Sequence, residues 1–385
     1  MTTGVDPRTV RELTGERPGP CVSLYLPAPG GREAGQGRIA LDRLLSHAEA
    51  DLRSRGIDAD ELGEMLAPAR ALLIDSWQQG DSAALALFAA PGFFRLLRGR
   101  FPVVEEWTVG PRFRLRPLLP LLAAPKRWYV LALSRNAVRL VEATPSEVRR
   151  LPLGELEAGF EAAMGYDEYY SALQVHSAGT HAGGTRRPSG VVHGHGDRDE
   201  EKLEEDLRHW LGRVAQRVKE RARDLAAPRV LATTTEQAAL YRAASRDPLL
   251  LAETVAGNPD RIGDAELAER ARVLVDAFLE RRRHEGLDRW RELLGGPRAS
   301  GDPATVLRLA GQGRVRTLFL PRLAELWGSW DSTADRLELH AQRRPGDEEL
   351  LERAAHDTLA RGGEVHELGD PAALGGATLA ALLQG

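Results

Sequence analysis

Apolar residues recur at helical spacing at Leu203, Leu207, Trp210, Leu211, Val214, Val218, Ala222 and Leu225. They predict one strongly amphipathic helix with a single stripe turned to a core. Directly before it the periodicity stops. The run HSAGTHAGGTRRPSGVVHGHGDRD, from His176 to Asp199, carries Gly179, Gly183, Gly184, Gly190, Gly194 and Gly196 and has no core-forming pattern of its own. Connections this long inside a compact chain are usually functional or disordered. The rest of the pattern reads as scaffolding around this stretch.

Before residue 124 the pattern predicts an α/β domain. A short helix (Pro7 to Thr14) leads to a strand at Val22–Leu26, and leucines at helical spacing mark helices near 38–55 and 59–76. Strands are expected at Ala83–Ala89, Phe93–Leu97 and Phe113–Leu119, with turns at Pro91-Gly92 and Gly110-Pro111. From Trp128 three short alternating runs, WYVLALS, AVRLVEA and EVRRLPL, predict an antiparallel meander. The long loop and its helix follow, then a strand at Val230–Ala232 and a helix near 236–244. Asn258-Pro259-Asp260 opens a third part, with a long helix over 264–294 and a short one at Pro303–Ala310. A strand at Val315–Leu320, another at Arg336–His340, a helix at Asp347–Arg361, a strand at Glu364–Leu368 and an apolar end from Ala377 complete it. Alternation of this kind gives an α/β/α sandwich. The expected domains are therefore 1–123, 124–258 and 259–385, all of α/β class.

At 385 residues the chain exceeds one ordinary core. Its 42% hydrophobic and 28% charged content is that of a globular protein, and no run of some 18 apolar residues predicts a membrane span. The expectation is a cytoplasmic protein with no membrane partner. A net charge of -4 gives no global attraction to nucleic acid, and DNA is not an expected partner. Of 52 basic residues three are lysines (Lys126, Lys202, Lys219), a skew that fits phosphate recognition but also the codon bias of a GC-rich genome. Cys21, the single cysteine, excludes an internal disulfide and a thiolate metal cage, and it reads as a buried, inert thiol.

Several candidate chemistries can be weighed on residue types and spacing. The glycine loop GGREAGQGR after the first strand lacks both the Gly-Lys-Ser/Thr ending and G-x-G-x-x-G spacing, which excludes a nucleotide-phosphate loop of either kind. Half of the ten histidines (His176, His181, His193, His195 and His209) cluster around the long loop. His193 and His195 form an H-x-H pair, but no cysteine or fixed third ligand accompanies them, so no metal or other cofactor is expected. His176, Ser177 and Asp197 lack a nucleophile-elbow context for a hydrolytic triad. Trp327 and Trp330 could stack on bases, although core packing is the commoner fate. Glu105-Glu106 and Glu348-Glu349 read as solvated surface.

The predicted helix is electrically split, with a net charge of -5 over 197–206 and +5 over 208–223. Acids at a helix start and bases at its end stabilise the dipole, each by about 0.3–1 kcal/mol. Alternatively, Arg208, Arg213, Arg217, Lys219 and Arg223 form a phosphate-facing ridge together with Arg186 and Arg187 of the loop.

The segments CVSLYLPAP, PRFRLRPLLPLL, WYVLALSRNAVRLV, the GNPDRI turn and TLFLPR resemble a bacterial family related to archaeo-eukaryotic class I peptide release factors and Pelota. The resemblance spans nearly the whole chain. It implies an N-terminal α/β domain, an RNase H-like middle domain and a C-terminal domain like the ribosomal proteins that bind kink-turn RNA. In that family's release factors a Gly-Gly-Gln loop enters the peptidyl transferase centre and promotes hydrolysis of peptidyl-tRNA. Here the corresponding loop reads Gly183-Gly184-Thr185, with His193-Gly194-His195-Gly196 as a second possible alignment. The glycines that let backbone approach crowded RNA are kept, and the glutamine is absent. The resemblance thus implies a factor in the ribosomal A site, meeting rRNA and tRNA, with a translational GTPase as a conceivable partner. It would act in hibernation, protection or rescue, without hydrolysis. Two alternatives stay open: an active peptidyl-tRNA hydrolysing release factor, and a stress-linked protein-interaction scaffold.

Overall fold

A computed structural model describes residues 7–27, 34–74, 84–99, 103–123, 125, 127–145, 147–163, 196–222 and 227–384. These form two compact units, one of Met1–Ala124 together with Arg282–Gly385, the other of Pro125–Arg281. Division into three domains at 123/124 and 258/259 remains a reading of the sequence.

In the first unit, helix α1 (Pro7–Leu13) leads to strand β1 (Cys21–Pro27), followed by α2 (Ala34–Ser54) and α3 (Ala59–Ile74). Strands β2 (Ala84–Ala90), β3 (Phe93–Gly99) and β4 (Glu106–Gly110) complete an antiparallel sheet of order β3-β2-β1-β4. Side chains alternate across β1 and serve both faces. Val22, Leu24 and Leu26 enter the core under α2 and α3, while Cys21 and Tyr25 enter a second core with Phe88, Phe113 and Leu115.

Residues 113–119 are not the strand their alternation predicts. Arg116–Leu118 is a 3-10 turn, with Pro117 at its start, and Leu119–Ala123 is the short helix α4. The backbone donors here do not join a ladder. Arg114 N–H donates to Ser23 Oγ (3.0 Å), and the N–H groups of Leu115 and Arg116 donate to the Glu352 carboxylate (2.5 and 3.3 Å). Side-chain acceptors thus replace a partner strand.

The second unit is built on β5 (Trp128–Leu133), β6 (Val138–Ala143) and β7 (Val148–Leu151), the expected antiparallel meander. Helix α5 (Gly159–Ala163) and the long helix α6 (Gly196–Arg221) come next, then β8 (Arg229–Thr233), α7 (Thr235–Ser245) and β9 (Leu250–Ala256). The sheet order is β7-β6-β5-β8-β9, with β8 parallel to β5 and β9 parallel to β8. Every residue of β5 is buried, as a central strand covered on both faces requires. Tyr129, Leu131 and Leu133 pack with α6 and α7; Trp128, Val130 and Ala132 pack with Leu267, Ala271 and Val275 of α8 (Asp264–Leu293).

The remaining segment returns to the first unit. After β10 (Ala299–Ser300) come α9 (Pro303–Gly311), β11 (Val315–Pro321), β12 (Trp327–Asp331), β13 (Arg336–His340), β14 (Glu348–Glu349), α10 (Leu350–Ala360), β15 (Glu364–Leu368) and β16 (Ala380–Leu383). They make a sheet of order β10-β16-β11-β15 and a small one of order β13-β12-β14. Leu119 of the N-terminal part lies in the core of Leu318, Leu320, Leu351 and Val365, so both parts of this unit share one interior.

Glu348 and Glu349 depart from the solvated surface expected of them. Glu348 pairs with Arg112 (2.8 Å) and with Arg353. Glu349 is buried and caps α10, accepting from the N–H groups of Leu351 (3.1 Å) and Glu352 (2.7 Å), which is why that helix starts at Leu350 rather than Asp347. Glu106 also departs from surface: it pairs with Arg114 (2.6 Å), and burial raises its carboxyl above the ordinary range. Glu105, paired with Arg43, is exposed as expected.

Candidate functional site

Helix α6 buries Trp210, Leu211, Val214 and Val218, and Ala222 is buried just past its end, which makes five of the eight stripe positions, with Leu203 and Leu207 half-buried at the edge. Leu225 lies outside the described residues. Trp210 meets Phe160 edge to face, with ring centroids 5.6 Å apart at 63°, and that contact fixes the rotation of the helix about its axis. With the apolar stripe inside, the arginines are turned outward. Arg208 and Arg213 are exposed and Arg217 half-buried.

These residues form one wall of a groove of about 630 Å³. Arg208, His209, Arg213 and Arg217 line it from α6, Leu240, Ala243 and Ala244 from α7, and Leu156 from the 3-10 turn Gly154–Ala158. Gly159 closes that turn with φ 83°, and a Cβ there would lie 2.4 Å from the Arg135 carbonyl oxygen. Only glycine accepts both conditions, so Gly159 determines where Leu156 and Glu155 stand.

Each arginine of the wall has an acidic neighbour. Arg208 pairs with Glu204 (2.6 Å), Arg213 with Glu155 (2.5 Å) and Arg217 with Glu220 (3.3 Å). All of these carboxylates are more than half exposed, the side chains of Glu204 and Glu220 by 53% and that of Glu155 by 76%. Pairs in such surroundings are each worth about 0–1 kcal/mol. The wall is therefore held in place by weak partners that an incoming anion could replace. Lys219 is exposed on the same helix.

The structure thus brings together Arg208, Arg213 and Arg217 from the sequence-derived set. Gly183, Gly184, Thr185, Arg186, Arg187, His193, Gly194, His195 and Arg223 lie outside the described residues, and Gly196 is the first residue of α6. His176 and Ser177 lie outside as well. Among the described residues no group of three or more His, Cys, Asp or Glu side chains is placed to hold a metal ion. Cys21 is 2% exposed, and burial pushes its thiol up to about 11, the behaviour of an inert core residue. Trp330 belongs to the core, and Trp327 donates its indole N–H to Glu325 (3.1 Å) with the Arg343 guanidinium over its ring.

Sequence reasoning missed the second wall. Leu240, Ala243 and Ala244 stand at i, i+3 and i+4, the spacing of a helix face, but nothing in the sequence couples that face to α6. That pairing is tertiary.

Residues 127–314 match the model of bacterial archaeo-eukaryotic release factor family 3. Over that stretch the chain is similar to this family. The matched region contains the meander, α6, α7 and so the whole groove. No curated protein matches the sequence. Among solved structures, the archaeal translation termination factor aRF1 aligns over 100% of this chain and 99% of its own, at 15% identity and a TM-score of 0.26. An archaeal Pelota, from a model of the ribosome-bound protein with ABCE1, aligns over 100% and 95% at 13% identity and a TM-score of 0.39. Dom34 of S. cerevisiae, described as a translation termination-like factor, aligns over 80% and 76% at 9% identity and a TM-score of 0.31. Scores this low carry no argument about this chain. The likeness to release factors rests on the family match.

Proposed function

We propose that this protein is a translation-associated factor that occupies the ribosomal A site and acts by occupancy rather than hydrolysis, in hibernation, protection or rescue of stalled ribosomes. The observation that carries this reading is the arginine wall of α6 inside the stretch that matches the release-factor family. Arginine forks suit phosphate, and their present acidic partners are weak. The reading without hydrolysis is supported by Gly183-Gly184-Thr185, which keeps the glycines of the release-factor loop and has no glutamine amide to position a water. The partners proposed are rRNA and tRNA, with a translational GTPase as a third. The three-domain plan and a cytoplasmic site of action belong to the same proposal. No helix among the described residues is long and apolar enough to cross a membrane.

The test adds purified protein to ribosomes holding labelled peptidyl-tRNA and follows pelleting and peptide release together. Co-sedimentation without release is the expected result, lost on charge reversal at Arg186, Arg187 and Arg213. Release would overturn the occupancy reading and make Thr185, His193 and His195 the residues to substitute. No association in any ribosome state would remove the ribosome from the account.

A further inference from the structure

The groove combines two surfaces that a plain electrostatic patch would not need. One wall is charged and polar, with Arg208, Arg213 and Arg217 beside His209 and Glu220; the other is apolar, with Leu240, Ala243, Ala244 and, at the turn, Leu156. At about 630 Å³ it falls within the roughly 300–1,000 Å³ of pockets that enclose small ligands. Its middle is open because Gly212, one of the lining residues, has nothing within 4 Å of where a Cβ would stand. Along α6 the three arginines are five and four residues apart, a rise of roughly 7.5 and 6 Å. Arg213 and Arg217, four residues apart, share one face of the helix beside the apolar slot, and Arg208 borders the groove from the flank.

A phosphate chain that carries flat apolar rings complements both walls at once. We propose that this groove binds a single-stranded RNA segment, its phosphates on Arg208, Arg213 and Arg217 and a base against Leu156, Leu240 and Ala244. A duplex turns its bases inward and offers the slot nothing, whereas an unstacked base offers a face. The exposed carboxylates of Glu204, Glu155 and Glu220 are exchanged for phosphate on binding. The proposal deepens the translation reading by naming what the α6 wall recognises, and it rests on that reading for the choice of RNA as ligand.

The experiment uses the full chain and a fluorescein-labelled uridine octamer, with anisotropy read across a salt series and ribosome pelleting measured on the same preparations. Three phosphate contacts predict a log–log salt slope of about −2. Arg213→Glu with Arg217→Glu should lower affinity by at least about tenfold and flatten that slope. Gly212→Leu fills the slot without altering charge, at a position with room for the side chain, and should also lower affinity. Arg213 is about half exposed, so its substitution leaves the core intact. Unchanged octamer affinity in Gly212→Leu would overturn the proposal, as would equal affinity for an RNA duplex or for an acidic peptide such as octaglutamate. If the wild-type chain pellets with ribosomes but fails to bind the octamer, the groove assignment falls and the A-site reading stands. If it binds the octamer but never pellets, the reverse holds.

Discussion

Arg116 is the residue whose loss should be felt most in the first unit. Its side chain is 3% exposed. One terminal nitrogen donates to the carbonyls of Pro321 (2.6 Å) and Arg322 (2.9 Å); the other donates to the carbonyl of Ala324 (2.8 Å) and the carboxylate of Glu349 (3.3 Å). Glu367 lies 3.9 Å from its Nε, and the side chains of Glu349 and Glu367 are 6% and 9% exposed. Arg116→Ala would leave the buried Glu349 without its cation, Glu367 with Arg322 alone, and three carbonyls short of a donor. Breaking a buried pair from one side costs about 3–5 kcal/mol. Glu349 keeps its backbone donors from Leu326, Leu351 and Glu352, which moderates the loss and places the expectation near 4 kcal/mol. For a unit of this size that is a fall of roughly 10 °C in Tm. The assay is urea unfolding followed by tryptophan fluorescence, since Trp327 and Trp330 follow closely on the segment that Arg116 holds. Arg116→Lys should fall between wild type and alanine, because an ammonium keeps the charge but not the fork. A loss below about 1 kcal/mol in Arg116→Ala, or a lysine variant equal to wild type, would refute the reasoning.

Two further predictions concern the same unit. Burial pushes the Glu352 carboxyl up to about 7 from an ordinary 4.5, partly countered by Arg114 and by the Leu115 N–H. The folded state therefore holds a proton that the unfolded chain releases, so this contribution to stability is full below about 4.5 and lost as pH rises through about 7. Glu352→Gln stays neutral and retains a carbonyl for the closer of its two donors, the Leu115 N–H, while giving up the oxygen that the Arg116 N–H uses. It should flatten the decline in stability between pH 5 and 8, a span worth up to about 3 kcal/mol, and superimposable pH profiles would count against it. In the small sheet, a Cβ on Gly328 would lie 2.0 Å from the Glu338 carbonyl oxygen. Gly328→Ala should destabilise by about 1–3 kcal/mol through overpacking, read as a lower urea midpoint, and an unchanged midpoint would show that β12 and β13 can separate at little cost.

Where one local pattern carried the information, the fold was legible in the sequence. The meander 128–151 alternates cleanly, its turns are marked by Ser134–Asn136 and Thr144–Ser146, and it forms as expected. The C-terminal strand pair β11 and β15 is equally plain. Phe113–Leu119 alternates just as well and is no strand, because Pro117 and Pro120 break it and Glu352, distant in sequence, takes its backbone donors. Charge misled in the same way. Glu348 and Glu349 read as solvated surface, and nothing local reveals that Arg112 and Arg116 meet that end of α10. Strands β9 and β12 escaped notice, β9 with two exposed residues in its run and β12 with Gly328 inside it. For the candidate site, the arginines were legible as a ridge. The slot beside them was not, since it exists only where two helices face each other.

The first unit is assembled from segments that the ribosome makes at different times. Pro125–Arg281 emerges between them and is contiguous, so it can close its own core while the N-terminal segment still lacks α10 and β11. At roughly 5–20 residues per second, that wait lasts on the order of ten to thirty seconds. During it Leu119 has no C-terminal core to enter and Arg116 has neither Glu349 nor the carbonyls of 321–324. Arg116 is therefore a charge kept in water until the last quarter of the chain arrives. Its desolvation marks the step at which the two ends of the polypeptide become one unit.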